Sequence, residues 1–541
     1  MNKLYLKSKY IIIAIICSSM VITSCEDFLD KKPYDFISSE TFYKDENDCM
    51  MALAGIYWTL ASEEVYANMY SALLTNSDDI SYSTKANASD DVSVNSMLTS
   101  NATISRVWTS LYSGINNANL LLENIEKANI SDSRIKNRIK GEAKFLRAYY
   151  HFLLVQGWYE VPVRKESIKN VKDCSLASTS HEDALDWIIQ EMEDCIDLVD
   201  DSEYDKSPSH VKKTVVEGIL ARVCLWRAGY PSNGGKPFYE KAAFYANEVV
   251  KSNKHKLFPN NEGDGVYTLW KNLASNKYET TYNESMWEVE FVGSVIDGNF
   301  TWSRLGNTLG NKQDNPSQTG KGYGYGFSCG SLILWDIFQK HPEDNRIDLS
   351  LAPYYLDKQD KQVQWKDTEI VQRRCGKFRR EWSPTSPKHK NQDQINFPIL
   401  RYSDVLLMLA EAENEKEQRP TDVAYMALNE VKKRANIPEV SSLSYEEFQK
   451  ELRDERAREL CFESLRRFDL VRWGIYYESI KENLGKATED KRWAASYPYM
   501  AGKQFVNNTE EKHQFFPIPL KELGVNKLLK QNKYWSNIEN N

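Results

Sequence analysis

Apolar residues recur along most of this chain at the 3.6-residue period of an α-helix. Over residues 105–128 the stripe is Val107, Trp108, Leu111, Ile115, Ala118 and Leu122, and over 134–157 it is Ile139, Phe145, Leu146, Tyr149, Phe152 and Leu153. Residues 181–199 continue with Ala184, Trp187, Ile188, Met192, Cys195 and Leu198, opened by the start signal Ser180-x-x-Asp183. Residues 210–229 and 237–251 complete a first helical group. A second group begins at Arg401, with members over 401–417, 421–436 and 444–484 and breaks at Pro420 and Pro438. Amphipathic helices of this length in succession predict a mostly α fold, a superhelical scaffold of tetratricopeptide-like helix pairs. Trp108, Trp187 and Trp473 lie on these stripes and are expected in the core.

Residues 255–400 break the pattern. They hold polar and Gly-rich runs, such as residues 260–265, and a period-two stretch over Met286 to Phe291 that reads as a short strand with Trp287 inside. Residues 320–330 interleave glycines with aromatics. Long loops on a rigid helical frame are where binding surfaces sit, so this region is expected to be a loop-rich, minor-β insertion. The organisation read from the chain is residues 1–24, a helical region over 25–254, the insertion over 255–400 and a helical region over 401–541.

Residues 1–24 are set apart by Lys3, Lys7 and Lys9 followed by an apolar run from Tyr10 to Val21. That run is too short to span a bilayer comfortably and fits a secretory signal. Small residues just before Cys25 resemble a bacterial lipobox, which implies cleavage there and lipidation of Cys25. The alternative is an ordinary secretory signal with a chance Cys. Two or three acyl chains would anchor stably.

Charge narrows the function classes. The formal net charge is −8, and losing residues 1–24, with three lysines and no acids, makes it −11. Such a chain lacks the basic footprint of a nucleic-acid binder. A mean hydropathy of −0.59 excludes a polytopic membrane protein. The nine cysteines are widely spaced with no C-x-x-C, which suggests neither a disulfide framework nor a zinc site, and no cofactor fingerprint is complete. Aromatics are plentiful (Tyr 31, Phe 20, Trp 14), so some are available to stack on a ligand.

Several motifs follow one another in order along the chain. They are Cys25 to Asp30 with Lys31, Lys32 and Pro33; Trp108 to Tyr112 with Ile115 to Asn119; Gly141 to Tyr150; Arg401 to Ala412; and Ala427 to Ala435. The densest is Glu455, Arg456, Glu459, Leu460, Phe462, Glu463 and Arg466 to Gly474, and Phe516 to Pro519 precedes Gln531 and Asn532. Taken in this order, they resemble the SusD/RagB family of outer-membrane nutrient-binding lipoproteins of Bacteroidetes. The chain departs from the family in Trp158 to Pro162, where Tyr-Gly usually precedes Val-Pro, and in Asn526-Lys527 and Asn532-Lys533, which lack the usual prolines. The resemblance implies a surface lipoprotein tethered through Cys25 and facing the cell exterior. It would bind oligosaccharide or polysaccharide and deliver it to a SusC-like TonB-dependent outer-membrane transporter, without catalysis.

The contact residues are read from the chain itself. Sugars stack on Trp and Tyr and are fixed by Asn, Asp and Gln. On two loop zones, 66–104 and 293–330, these residues are Tyr82, Trp302, Tyr323 and Tyr325 for stacking, and Asp91, Asn101 and Asn299 for hydroxyls. Other readings stay open. Gly326-Phe-Ser328-Cys-Gly330 matches a hydrolase nucleophile motif, although no buried-strand pattern precedes it. A glycoside hydrolase needs two carboxylates whose separation no sequence shows. Helical repeats also serve as peptide-binding adaptors. The charged run from Glu455 to Arg472 reads as an ion-pair network, with Glu463–Arg467 and Asp469–Arg472 at pairing distance along a helix.

Overall fold

A computed structural model describes residues 42–82, 91–200, 207–260, 265–292, 301–317, 320–384, 389–494 and 498–536. The described residues are mostly helical. In chain order the principal helices are α1 (Glu46–Trp58), α2 (Ala102–Asn124), α3 (Ser133–Trp158), α4 (His181–Glu193), α5 (Lys213–Ala228), α6 (Lys236–Lys251), α7 (Val266–Ala274), α8 (Leu332–Gln339), α9 (Tyr402–Glu417), α10 (Asp422–Arg434), α11 (Tyr445–Leu460) and α12 (Arg466–Arg472). Successive helices pack as neighbours: α2 on α3, α4 on α5, α5 on α6, and α9 on α10, with α6 against α9 joining the two groups. This is the tetratricopeptide-like scaffold expected from the period. Local chemistry sets the starts. Ser180 accepts from the Asp183 backbone N–H at 3.2 Å, and Ser444 and Glu447 form a reciprocal capping box on α11.

Two elements depart from the pattern. The stretch 444–484 is not continuous: α11 ends at Leu460, and Phe462 (φ 64°) and Ser464 (φ 65°) take left-handed backbone before α12. Such conformations cost about 1 kcal/mol or more each. The break is compensated by what it buries: the Phe462 ring, and Glu463 turned onto Lys377 (2.6 Å) and Arg401 (2.7 Å). Helix α1 escaped the pattern because its apolar residues run all round it. Cys49, Leu53 and Ile56 face the core, while Met51 and Trp58 face solvent.

Between the helical groups lie short strands: β1 (Ile80–Tyr82), β2 (Ser285–Val289), β3 (Gln313–Asp314), β4 (Tyr323–Gly324), β5 (Ser328–Gly330), β6 (Leu351–Ala352), β7 (Tyr354–Leu356), β8 (Gln362–Gln364), β9 (Arg374–Cys375) and β10 (Phe397–Arg401). They form an antiparallel sheet β1-β5-β9-β6, a sheet β4-β3-β7-β8 in which only β3–β7 is parallel, and the antiparallel pair β10-β2. The period-two stretch is β2, with Trp287 fully buried on it, and its partner β10 runs straight into α9. Trp108 is in the core. Trp187 and Trp473 sit at its edge, each under cations: Arg147 and Lys165 over Trp187, and Arg453, Arg466 and Arg472 over Trp473.

The charged run is an interior ion network spanning helices. Glu459 accepts from Arg346, Arg401 and Arg434, Glu455 from Arg346 and Arg458, and Asp469 from Arg456 and Arg472. Glu463 does not pair with Arg467 as the spacing suggests. Arg467 instead donates to the Tyr476 hydroxyl (2.7 Å) and to the backbone oxygens of Asn76 and His513.

Candidate functional site

The alternation of glycine and aromatic residues after residue 320 becomes a two-sided ribbon. Its backbone is pinned to the turn at Leu305–Thr308: Tyr325 N donates to Asn307 O (2.7 Å) and Phe327 N to Thr308 O (2.9 Å). The Asn307 amide donates to Tyr323 O at 3.1 Å, and the buried Arg380 guanidinium donates to the oxygens of Tyr323 and Lys390. Glycines occupy the inner side because nothing larger fits. A Cβ on Gly324 would lie 2.5 Å from Asn311 O, and Gly322 and Gly326 hold φ of 103° and 56°.

Burial alternates along the ribbon, so Tyr323, Tyr325 and Phe327 are each half-buried while the glycines between them are buried. Tyr82, at the end of β1 where it pairs with Ser328 of β5, brings its ring against Phe327. The result is a ladder of rings. Tyr82 stacks on Phe327 at 5.3 Å, Phe327 on Tyr325 at 4.8 Å and 5°, and Tyr325 meets Tyr323 edge-on at 4.9 Å. Lys390 Nζ sits 5.1 Å from the Tyr323 ring centre and 5.8 Å from that of Tyr325. Burial first, and then the nearby Asp91, raise the Tyr82 hydroxyl pKa.

Lys390 also lines an open cleft of about 630 Å³. Its walls carry Trp58, Trp302 and His389 with the amides Asn391 and Gln392. Trp58 is 59% exposed there, and Trp302 meets His389 edge-on at 5.5 Å. The floor is fixed by backbone bonds in both directions between Ser303 and Asp393, 2.9 Å each, and by Arg304, which donates through its backbone N–H to Ala67 O (2.8 Å) and through its guanidinium to Glu63 (3.1 Å). Burial pushes the Asp393 carboxyl up, and Arg380 opposes the shift. Flat apolar ring faces beside fixed amides and charges suit a ligand with apolar C–H faces and many hydroxyls.

Of the residues singled out from the sequence, Tyr82, Tyr323 and Tyr325 are brought together in the ladder and Trp302 lines the adjoining cleft. Asp91 accepts from Ser93 N (2.9 Å) and Ser93 Oγ (2.7 Å), and its charge acts on Tyr82. Asn101 caps α2 by accepting from Ile104 N at 3.1 Å and is 6% exposed, which leaves it little surface for a ligand. Asn299 and Cys25 lie outside the described residues. Phe327, Trp58, His389, Lys390, Asn391 and Gln392 are not among the stacking and hydroxyl contacts that the sequence picks out. Phe327 was the next step of the Gly-aromatic alternation, whereas the others reach the cleft through tertiary folding. Ser328, centre of the hydrolase motif, is buried within β5.

No helix among the described residues is long and apolar enough to cross a membrane. Residues 353–535 match the family described as the SusD family, and residues 27–225 match one described as "Starch-binding associating with outer membrane". SusD-like protein P25 of Formosa agariphila is 25% identical, over 94% of this chain and 95% of that protein. Among solved structures, a SusD homolog from Bacteroides thetaiotaomicron VPI-5482 aligns with a TM-score of 0.80 at 25% identity, covering 91% of this chain and 98% of that one. A protein titled "Laminarin binding SusD-like protein" aligns at 0.68 with 21% identity, covering 91% and 100%. With matches to family profiles in both its N-terminal and C-terminal parts, and the same fold along nearly its whole length, the chain belongs to the SusD/RagB family.

Proposed function

We propose that the ring ladder and the adjoining cleft bind an oligosaccharide or polysaccharide nutrient at the cell surface. The protein is held there by acyl chains on Cys25 and passes the ligand to a SusC-like TonB-dependent transporter in the outer membrane. The observation that carries the reading is the continuous run of half-buried rings, Tyr82, Phe327, Tyr325 and Tyr323, that ends against the amide-lined cleft at Lys390. Sugar rings present flat faces of weakly positive C–H groups, which pack on the negative faces of aromatic rings, and Asn391, Gln392 and Lys390 are placed to meet hydroxyls at the edges. The family description of starch binding supports this ligand class. The buried Ser328 gives a hydrolytic reading no support.

The test is the double variant Trp302→Ala with Tyr325→Ala, titrated with the glycan that the parent protein retains. Removing two stacking faces is expected to weaken binding by at least about tenfold. Unchanged affinity in a folded double variant would show that the glycan binds elsewhere.

A further inference from the structure

Fourteen large apolar side chains are exposed among the described residues, and six of them lie on segments fastened along α2. Leu98 precedes the helix, and Leu520 is beside it through Leu520 N donating to Thr99 O at 2.9 Å. Further along, Ile168 N donates to Asn116 Oδ1 and Ser167 N to Glu123 Oε1, both at 2.8 Å. That loop continues to Val171, 87% exposed, and to Leu176, whose backbone N–H and oxygen are both bonded to the Asn526 amide (3.1 and 2.7 Å). Val525 and Leu528 flank Asn526, each more than half exposed.

The charge around these aliphatics is opposite to that of the chain. Segments 164–176 and 520–536 hold seven lysines and Arg164 against three acids, Glu166, Asp173 and Glu522, in a protein of net charge −8. Lys169 is paired with Glu123 at 3.4 Å. Lys172, Lys521, Lys527 and Lys530 make no ion pair among the described residues.

We infer that this surface rests on an anionic lipid headgroup layer. Exposed aliphatics enter the acyl boundary, and the lysines around them meet lipid phosphates. The composition separates this from a protein-docking face, which is enriched in Tyr, Trp, Met and Arg and depleted in Lys. A folded-domain contact of this kind adds to a stable acyl anchor by seating the domain itself on the lipid surface. It also fixes which side of the molecule faces the membrane. It does not depend on the glycan site.

The experiment uses the chain from Glu26 onward, which carries no acyl group, and measures co-sedimentation with phosphatidylcholine vesicles with and without phosphatidylglycerol. Partition onto the anionic vesicles is expected to be at least about tenfold stronger and to fall as salt is raised. Lys172→Glu with Lys527→Glu, and separately Val171→Ser with Leu528→Ser, should each lower it by about tenfold, with unfolding temperature unchanged because all four side chains are exposed. Partition indifferent to anionic lipid, or left intact by both variants, would overturn the inference. So would variants that lose only a protein partner.

Discussion

Glu459 is the best place to test whether the interior ion network holds the helical groups together. It accepts from Arg346 Nη1 at 2.8 Å, Arg401 Nη1 at 2.8 Å and Arg434 Nη2 at 2.6 Å, and all four side chains are at most 3% exposed. Burial alone would raise its carboxyl pKa, but Arg434, Arg401 and Arg346 outweigh burial and hold it well below the usual range. Glu459→Gln keeps the shape and one acceptor oxygen. It removes the charge and turns an N–H₂ toward guanidinium donors, leaving surplus positive charge in a dry interior. Breaking a buried pair in this way costs about 3–5 kcal/mol. Urea unfolding followed by tryptophan fluorescence should place the variant lower by that amount, with the parent slope. The neighbouring Glu455 adds a pH signature. Burial raises it, but Arg346 and Arg458 pull it down to about 2. Its folded pKa is thus below the unfolded value, so the stability it contributes is present above pH about 4.5 and is lost as pH falls toward 2. A Glu459→Gln protein within about 0.5 kcal/mol of the parent would refute this reasoning, since that is the worth of an exposed pair.

Gly324→Val should weaken glycan binding by about tenfold while leaving global unfolding within about 1–3 kcal/mol, because the new side chain meets Asn311 O and displaces the ring ladder. Affinity electrophoresis and a melting curve on the same sample check both halves. Phe327→Ala removes the ring stacked on both Tyr82 and Tyr325, and should cost binding about 1–3 kcal/mol by calorimetry. Glu288 is pushed up to about 7 by burial, against the Asn396 amide, which donates to it at 3.0 Å. Its folded pKa is above the unfolded one, so its stabilisation is full below pH about 4.5 and is lost as pH rises through 7. Glu288→Gln should therefore gain up to about 3 kcal/mol at pH 8 over its effect at pH 5, read from urea midpoints at the two pH values.

How much was legible in the chain follows from which forces are local. The helices α2, α3, α5, α6, α9 and α10 announce themselves because each buries one stripe of a regular period, and caps such as Ser180 are chemistry within four residues. The break after Leu460 was hidden. Its positive-φ residues, Phe462 and Ser464, have no glycine to mark them, and the compensation comes from Lys377 and Arg401, roughly 60 to 90 positions away. Half of the candidate site was readable for the same reason that a strand is readable: alternation puts Tyr323 and Tyr325 on one side. The cleft was not, because Trp58 at the end of α1, Trp302, and the stretch His389 to Gln392 converge only through tertiary folding. Asn101, a polar residue just before a helix, serves as the cap of α2.

Glycan binding is tested most directly by running the chain from Glu26 onward through native gels containing a panel of polysaccharides, and assaying the same mixtures for new reducing ends. One glycan class should retard the protein, with no new ends, and the Trp302→Ala, Tyr325→Ala double variant should migrate freely in that gel. New reducing ends would contradict this in favour of a glycosidase, and a panel that retards neither protein would contradict a glycan site formed by this chain alone.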